Sequence, residues 1–200
     1  VDINFNLQGY IMSKRLIQPG NSKLKGMYMF NLPASIEVCN RICKGCYAIK
    51  EQVRFPVTLQ ARTERYNASL EDSFASTVTK ELGRLRKRPE YFRIHASGDF
   101  YAQDYVDKWC TIASENKDIT FYAYTKRLKD FDFSKLSELS NVMLIDSMHF
   151  KKLNYGPKEK APIDAFICPD HDDSTQCGVT CTYCMQKEGA PSNGVFFIQH

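Results

Sequence analysis

The segment Cys39-Asn40-Arg41-Ile42-Cys43-Lys44-Gly45-Cys46-Tyr47 places three thiols on one short stretch of chain, and no other stretch limits the possible folds as strongly. Thiolates at these spacings can converge on one metal centre. A single zinc ion takes four ligands in a closed tetrahedron, so the triad alone leaves zinc one ligand short. A cubane of four irons differs, because three cysteines can hold three irons and leave the fourth open for chemistry. A structural zinc with a remote fourth ligand, or three buried thiols, stands against that reading.

The chain around the triad alternates strand and helix patterns. Met27 to Leu32 is an apolar and aromatic run that stops at Pro33, a buried strand feeding the cysteine loop. From Leu59 to Lys87, Tyr66, Leu70, Phe74, Val78, Leu82 and Leu85 recur at helical spacing, and Arg84, Arg86, Lys87 and Arg88 suit the negative end of a helix that Pro89 closes. Strands follow at Tyr91 to Ala96, Ile119 to Tyr124 and Val142 to Ile145, with helices at Ala102 to Glu115 and Phe133 to Leu139 between them. Such alternation predicts a parallel sheet with right-handed crossovers. A full eight-unit barrel needs about 250 residues, more than the 200 present. The expected fold is therefore α/β, a partial, open parallel β/α barrel of about four to six strands with a C-terminal cysteine-rich metal-binding appendage. Residues 1–26, with a turn at Pro19 to Ser22 and one strand around Phe5 to Ile11, are expected to be an extension. Residues 27–160 are expected to form the partial barrel, and 161–200 the appendage with its last strand at Gly194 to Gln199.

Eight cysteines invite a disulfide reading, but no signal-like apolar segment is visible at the N-terminus. No run approaches the roughly 20 apolar residues of a membrane span. A reducing cytoplasm is the expectation, and clustered cysteines there favour metal. The net charge of +4 is mild and its basic residues interleave with acidic ones, so nucleic acid is allowed without being indicated.

Ligands of parallel α/β sheets gather at the carboxyl ends of the strands. The cysteine triad lies there, as do Ser97-Gly98-Asp99, Thr125-Lys126-Arg127 and Asp146-Ser147-Met148-His149. Gly98 would let backbone approach a ligand and Asp99 would pair with an ammonium group; the competing role for Asp99 is N-cap of the helix from Ala102. Lys126 and His149 are otherwise solvated loop residues, His95 a hydrogen-bonded interior residue, and Cys110 core packing. A second group, Cys168, Cys177, Cys181 and Cys184, supplies four thiolates and can close a site completely, as zinc or as a second [4Fe-4S] cluster. Its last three members repeat the first spacing, with Tyr183 before the final cysteine.

The spacing of Cys39, Cys43 and Cys46 resembles the CX3CX2C signature of the radical S-adenosylmethionine (SAM) superfamily, whose members share an incomplete barrel. One departure is that the usual aromatic before the third cysteine is Gly45, while Tyr47 follows it. The resemblance implies a [4Fe-4S] cluster whose open iron chelates SAM. It implies that Ser97-Gly98-Asp99, like a shortened glycine-glycine-acid motif, takes the SAM amino group, and that Lys126 faces the SAM carboxylate or a substrate anion. More of the chain, from Leu32 to His200, is similar to small phage proteins called gene product eighty-eight-like. The likeness is carried by Leu32-Pro33-Ala34, Cys46-Tyr47-Ala48, Ser97-Gly98-Asp99-Phe100-Tyr101 and Phe121-Tyr122-Ala123-Tyr124-Thr125. That family implies no settled function. The expected activity is radical SAM chemistry on an unknown substrate, fed by a reducing electron donor. The alternatives are a phage regulatory or nucleic-acid-binding protein with structural zinc or iron–sulfur sites, and electron transfer between two clusters.

Overall fold

The computed structural model describes residues 15–21, 24–40, 43, 45–147, 155–156, 166–168, 177, 181–183 and 195–198. The first strands are β1 (Gln18–Pro19) and β2 (Tyr28–Phe30). Four helices follow, α1 (Ile36–Cys39), α2 (Tyr47–Arg54), α3 (Pro56–Leu70) and α4 (Phe74–Gly83). Then come β3 (Tyr91–Ile94), α5 (Gln103–Glu115), β4 (Thr120–Thr125), α6 (Ser134–Glu138) and β5 (Val142–Asp146). The sheet order is β1-β2-β3-β4-β5, with β1 antiparallel to β2 and every other pairing parallel. Short strands β6 (Tyr155–Gly156), β7 (Phe166–Ile167) and β8 (Val195–Ile198) make a second sheet in the order β6-β8-β7.

The α/β class and the parallel sheet thus agree with the sequence, and the barrel does not. Among the described residues the five strands, a number within the expected four to six, form an open sheet with edges at β1 and β5, and no barrel curvature is shown. No described helix is long and apolar enough to cross a membrane.

Strand alternation divides the sheet into two faces. Phe30, Phe92, Ile94, Phe121 and Ala123 point to α4, α5 and α6 and are fully buried. Trp109 of α5 is the hub, with ring centroids 5.7 Å from Phe30, 5.9 Å from Phe74 and 5.8 Å from Phe92. The opposite face carries a cross-strand row, Met29, Arg93, Tyr122 and Met143, set by the register of β2 to β5. Met27 and Leu24 pack beside it, and so does Cys177.

Three local expectations need correction. The helix over Leu59 to Lys87 is two helices, with Glu71 extended at ψ 144° between them. Phe74, Val78 and Leu82 of α4 turn onto the sheet, while Lys108 Nζ donates to the last carbonyls of α3, Ser69 at 3.1 Å and Leu70 at 3.2 Å. Spacing conceals this break because Leu70 and Phe74 keep helical phase across it. Second, Tyr47 to Arg54, unassigned from sequence, is helical. Third, the described part of the expected extension packs with the sheet: Gln18 pairs with Met29, and Ile17 and Leu24 are buried. The expected strand at Phe5 to Ile11 lies outside the described residues.

The basic run ends in an engaged side chain. Arg88 meets Asp118 through Nε at 2.6 Å and Nη2 at 2.8 Å and also reaches Asn116 Oδ1 at 2.9 Å. Cys110 packs on the core from the partly buried side of α5, as its apolar neighbours suggest.

Candidate functional site: a thiol loop at the carboxyl end of the sheet

Ser35 starts the site by accepting a hydrogen bond from the Val38 N–H at 3.4 Å, capping the single turn of α1. Cys39 closes that turn. Asn40, at φ 54°, swings the chain into the loop, a left-handed conformation asparagine tolerates. Gly45 lies at φ +70°, where an aromatic residue would be strained, which accounts for glycine at the position before the third cysteine. Cys46 is then the N-cap of α2, and Tyr47, its first residue, sends its hydroxyl to the carbonyl of Ala96.

The three thiols lie within electrostatic reach of one another. Burial, then the nearby Asp99 carboxylate, pushes the Cys39 thiol up to about 12, with smaller contributions from Cys43 and Cys46. Burial also raises Cys43, and the Lys126 ammonium opposes it. Cys39 and Cys46 are half-buried and Cys43 is exposed. Among the described residues, no three His, Cys, Asp or Glu side chains are grouped to hold one ion. A cubane asks for less convergence, because each thiolate takes a different iron; in number and chemistry the three thiols match a cluster with one open iron and leave a lone zinc one ligand short.

Asp99 is not the helix cap. Ala102 occupies the N-cap of α5 without a side-chain bond, while Asp99 Oδ1 accepts from the Phe100 N–H at 2.8 Å and the Thr125 hydroxyl at 2.6 Å. Its Oδ2 accepts from the Lys126 N–H at 3.0 Å. The carboxylate therefore ties the end of β3 to the end of β4. Burial raises its pKa against those three donors. Lys126 Nζ donates to Ser147 Oγ at 3.3 Å.

Ser97 and Gly98 have a packing role. The Ser97 hydroxyl donates to the Leu32 carbonyl at 2.9 Å, and the Leu32 N–H donates to the Ser97 carbonyl at 2.9 Å. Gly98 sits at φ +85°, and a Cβ there would come within 2.5 Å of the Leu32 Cβ. Gly98→Ala is expected to cost about 2 to 3 kcal/mol in urea unfolding, from left-handed strain and overpacking. A loss within 0.5 kcal/mol, on the order of a neutral surface change, would remove this account of the glycine.

Several supporting residues carry no motif. Asn31 Oδ1 accepts from the Ala96 and Ser97 N–H groups at 2.7 and 3.0 Å. Gln52 Oε1 accepts from the Ala34 N–H at 2.7 Å and from the buried Arg62 at 3.3 Å, and Arg62 also donates to the Ala48 carbonyl at 3.4 Å. Both chains flanking the thiols are held from α2 and α3 in this way. A polar residue at a buried helical position is the sequence signal, legible only once burial is known.

Cys168, after β7, is buried; Cys177 and Cys181 are half-buried and joined by an isolated parallel bridge. Cys184, the fourth of that group, lies outside the described residues, as does His149.

A model of the Gene product 88 family matches residues 10–193. The chain is similar to the Gene 88 protein of Mycobacterium phage L5, 32% identical over 108 residues, 48% of this chain and 43% of that protein. It is similar as well to the Gene 88 protein of Mycobacterium phage D29, 29% identical over 126 residues, 58% of this chain and 50% of that protein. The chain spans about half the length of these curated relatives. No solved structure matches.

Proposed function

The chain belongs to the Gene product 88 family of phage proteins, and we propose from its own thiol loop that it is an iron–sulfur protein of the radical SAM kind, acting on a substrate still to be identified. What supports the reading is the spacing of Cys39, Cys43 and Cys46 on the loop after β2, with Asp99 and Lys126 within electrostatic reach of the thiols. Bound at those thiols, a [4Fe-4S] cluster with an open iron supplies the one-electron chemistry that splits SAM.

The chain's own residues bind and orient. Cys39, Cys43 and Cys46 are the ligands, and Lys126 favours the thiolate of Cys43. Asp99 has one donor on Oδ2, so that oxygen has capacity left for the ammonium group of an amino acid moiety. Ser97 and Gly98 hold Leu32 and the loop that follows against the strand end. Tyr47 fastens the start of α2 to Ala96. At the second group, Cys168, Cys177, Cys181 and Cys184 are proposed as ligands of a further [4Fe-4S] cluster, with zinc as the competing occupant.

Anaerobic purification with iron and zinc analysis, followed by electron paramagnetic resonance of the reduced protein with and without SAM, tests this. About eight irons per chain are expected for two such clusters, and a signal that changes when SAM is added. Cys39→Ala, Cys43→Ala and Cys46→Ala should each lose about half that iron and stay folded. A signal indifferent to SAM would sink the SAM reading, and iron unchanged in all three variants would sink the site.

A further inference from the structure

We propose that Arg93, flanked by Tyr122 and Tyr124, is the recognition group for an oxyanion, a carboxylate or a phosphate, on the molecule handled beside the thiol loop. That this molecule is a substrate rests on the function proposed above; the anion site itself rests on the surroundings of the arginine.

Arg93 occupies the middle of a row that is otherwise methionine and tyrosine, on the sheet face turned away from α4 and α5. Its guanidinium carbon lies 5.9 Å from the Tyr122 ring centroid and 5.5 Å from that of Tyr124. Nε donates to the His95 carbonyl at 3.3 Å. Among the described residues, Arg62–Glu51, Arg88–Asp118, Lys108–Asp104 and Arg127–Asp130 are ion-paired, and none of these pairs includes Arg93. Among the described residues, the side chains that act on its charge are Tyr122, Tyr47, Tyr124 and Cys177, none of them a carboxylate.

A guanidinium stays charged at every working pH, and half-burying it with no carboxylate partner among the described residues is costly. Two tyrosine faces offset part of that cost, but a core needing only volume at this position would be better served by methionine, as at Met29 beside it on β2. The planar fork has five N–H donors, of which the His95 carbonyl takes one, and its geometry matches the two oxygens of a carboxylate or phosphate. The tyrosine faces hold the fork in place, as a preorganised receptor requires. Tyr47, which follows Cys46 and bonds Ala96, ties this face to the thiol loop.

Equilibrium dialysis of the full chain, with metal content recorded, against radiolabelled inorganic phosphate and separately radiolabelled acetate at fixed ionic strength decides the matter. Saturable binding of one of the two anions is expected, weakened at least about tenfold in Arg93→Gln and less in Arg93→Lys, which keeps the charge without the fork. The anion that binds names the class. Binding of neither, or equal binding by Arg93→Gln, overturns the proposal. Should circular dichroism show Arg93→Gln unfolded, Arg93→Lys decides, and wild-type affinity there overturns it. Unchanged iron in the Arg93 variants with lost anion binding separates this site from the cluster; absent iron in the wild type defeats the cluster reading and leaves the dialysis result standing.

Discussion

Asp99→Ala is expected to cost about 4 kcal/mol of stability, measured by urea unfolding without any ligand. The carboxylate takes three hydrogen bonds, from Phe100, Thr125 and Lys126, and its removal strands a hydroxyl and two N–H groups where Asp99 itself is only 6% exposed. Each stranded donor costs about 1 to 3 kcal/mol, moderated by relaxation and water entry. Asp99→Asn keeps an oxygen for one or two of those donors and should lose roughly half as much. Affinity for SAM, read separately by calorimetry on the folded variant, is expected to fall by a further 1.5 to 3 kcal/mol, the usual worth of about one charge-assisted hydrogen bond. A stability loss below about 1 kcal/mol would show that the carboxylate does not tie β3 to β4.

The second large effect is a loss of stability in acid through His95. Its ring is buried against Phe100 and Tyr105, with Nε2 2.8 Å from the Tyr105 hydroxyl and Nδ1 without a partner. Burial, and then the charge of Arg93, lowers its pKa from 6.5 to about 3. The folded-state value lies below the unfolded one, so this group leaves stability untouched above about pH 6.5 and subtracts from it as pH falls toward 3. The unfolded chain takes up the proton that the folded chain refuses. The slope is about 1.4 kcal/mol per pH unit within that window, reaching about 3 kcal/mol near pH 4. His95 sits at φ 63°, a conformation asparagine accepts, so His95→Asn removes the titration with little backbone strain. Urea midpoints at pH 7 and pH 4.5 should converge for wild type and variant at the lower pH, even though the variant is weaker at pH 7 for want of the Tyr105 bond. Parallel declines would dismiss His95 as the cause.

Much of the architecture was legible because it depends on local patterns. Alternating apolar runs place four strands within a few residues of where they lie, and a chain that alternates strand and helix has little choice but a parallel sheet. The thiol triad was legible for the same reason: three cysteines within eight residues stay close whatever the fold. The break between α3 and α4 was not, because helical spacing continues from Leu70 to Phe74 while a turn intervenes.

The sequence by itself determined the class, the parallel direction of the main strands and the stretch that carries the three thiols, each a property of neighbours along the chain. Only the tertiary structure decided what those thiols face. Asp99, read as an ammonium partner or a helix cap, leaves the cap to Ala102 and crosses to Thr125 and Lys126; Gly98 clears Leu32. His95 leaves the alternation of its strand because a left-handed turn rotates its ring to the helix side. That turn leaves Arg93 as the last β3 side chain on its own face, beside Tyr122 and Tyr124. Those choices depend on which strand lies beside which and on how closely they pack, and no spacing within one segment carries that information.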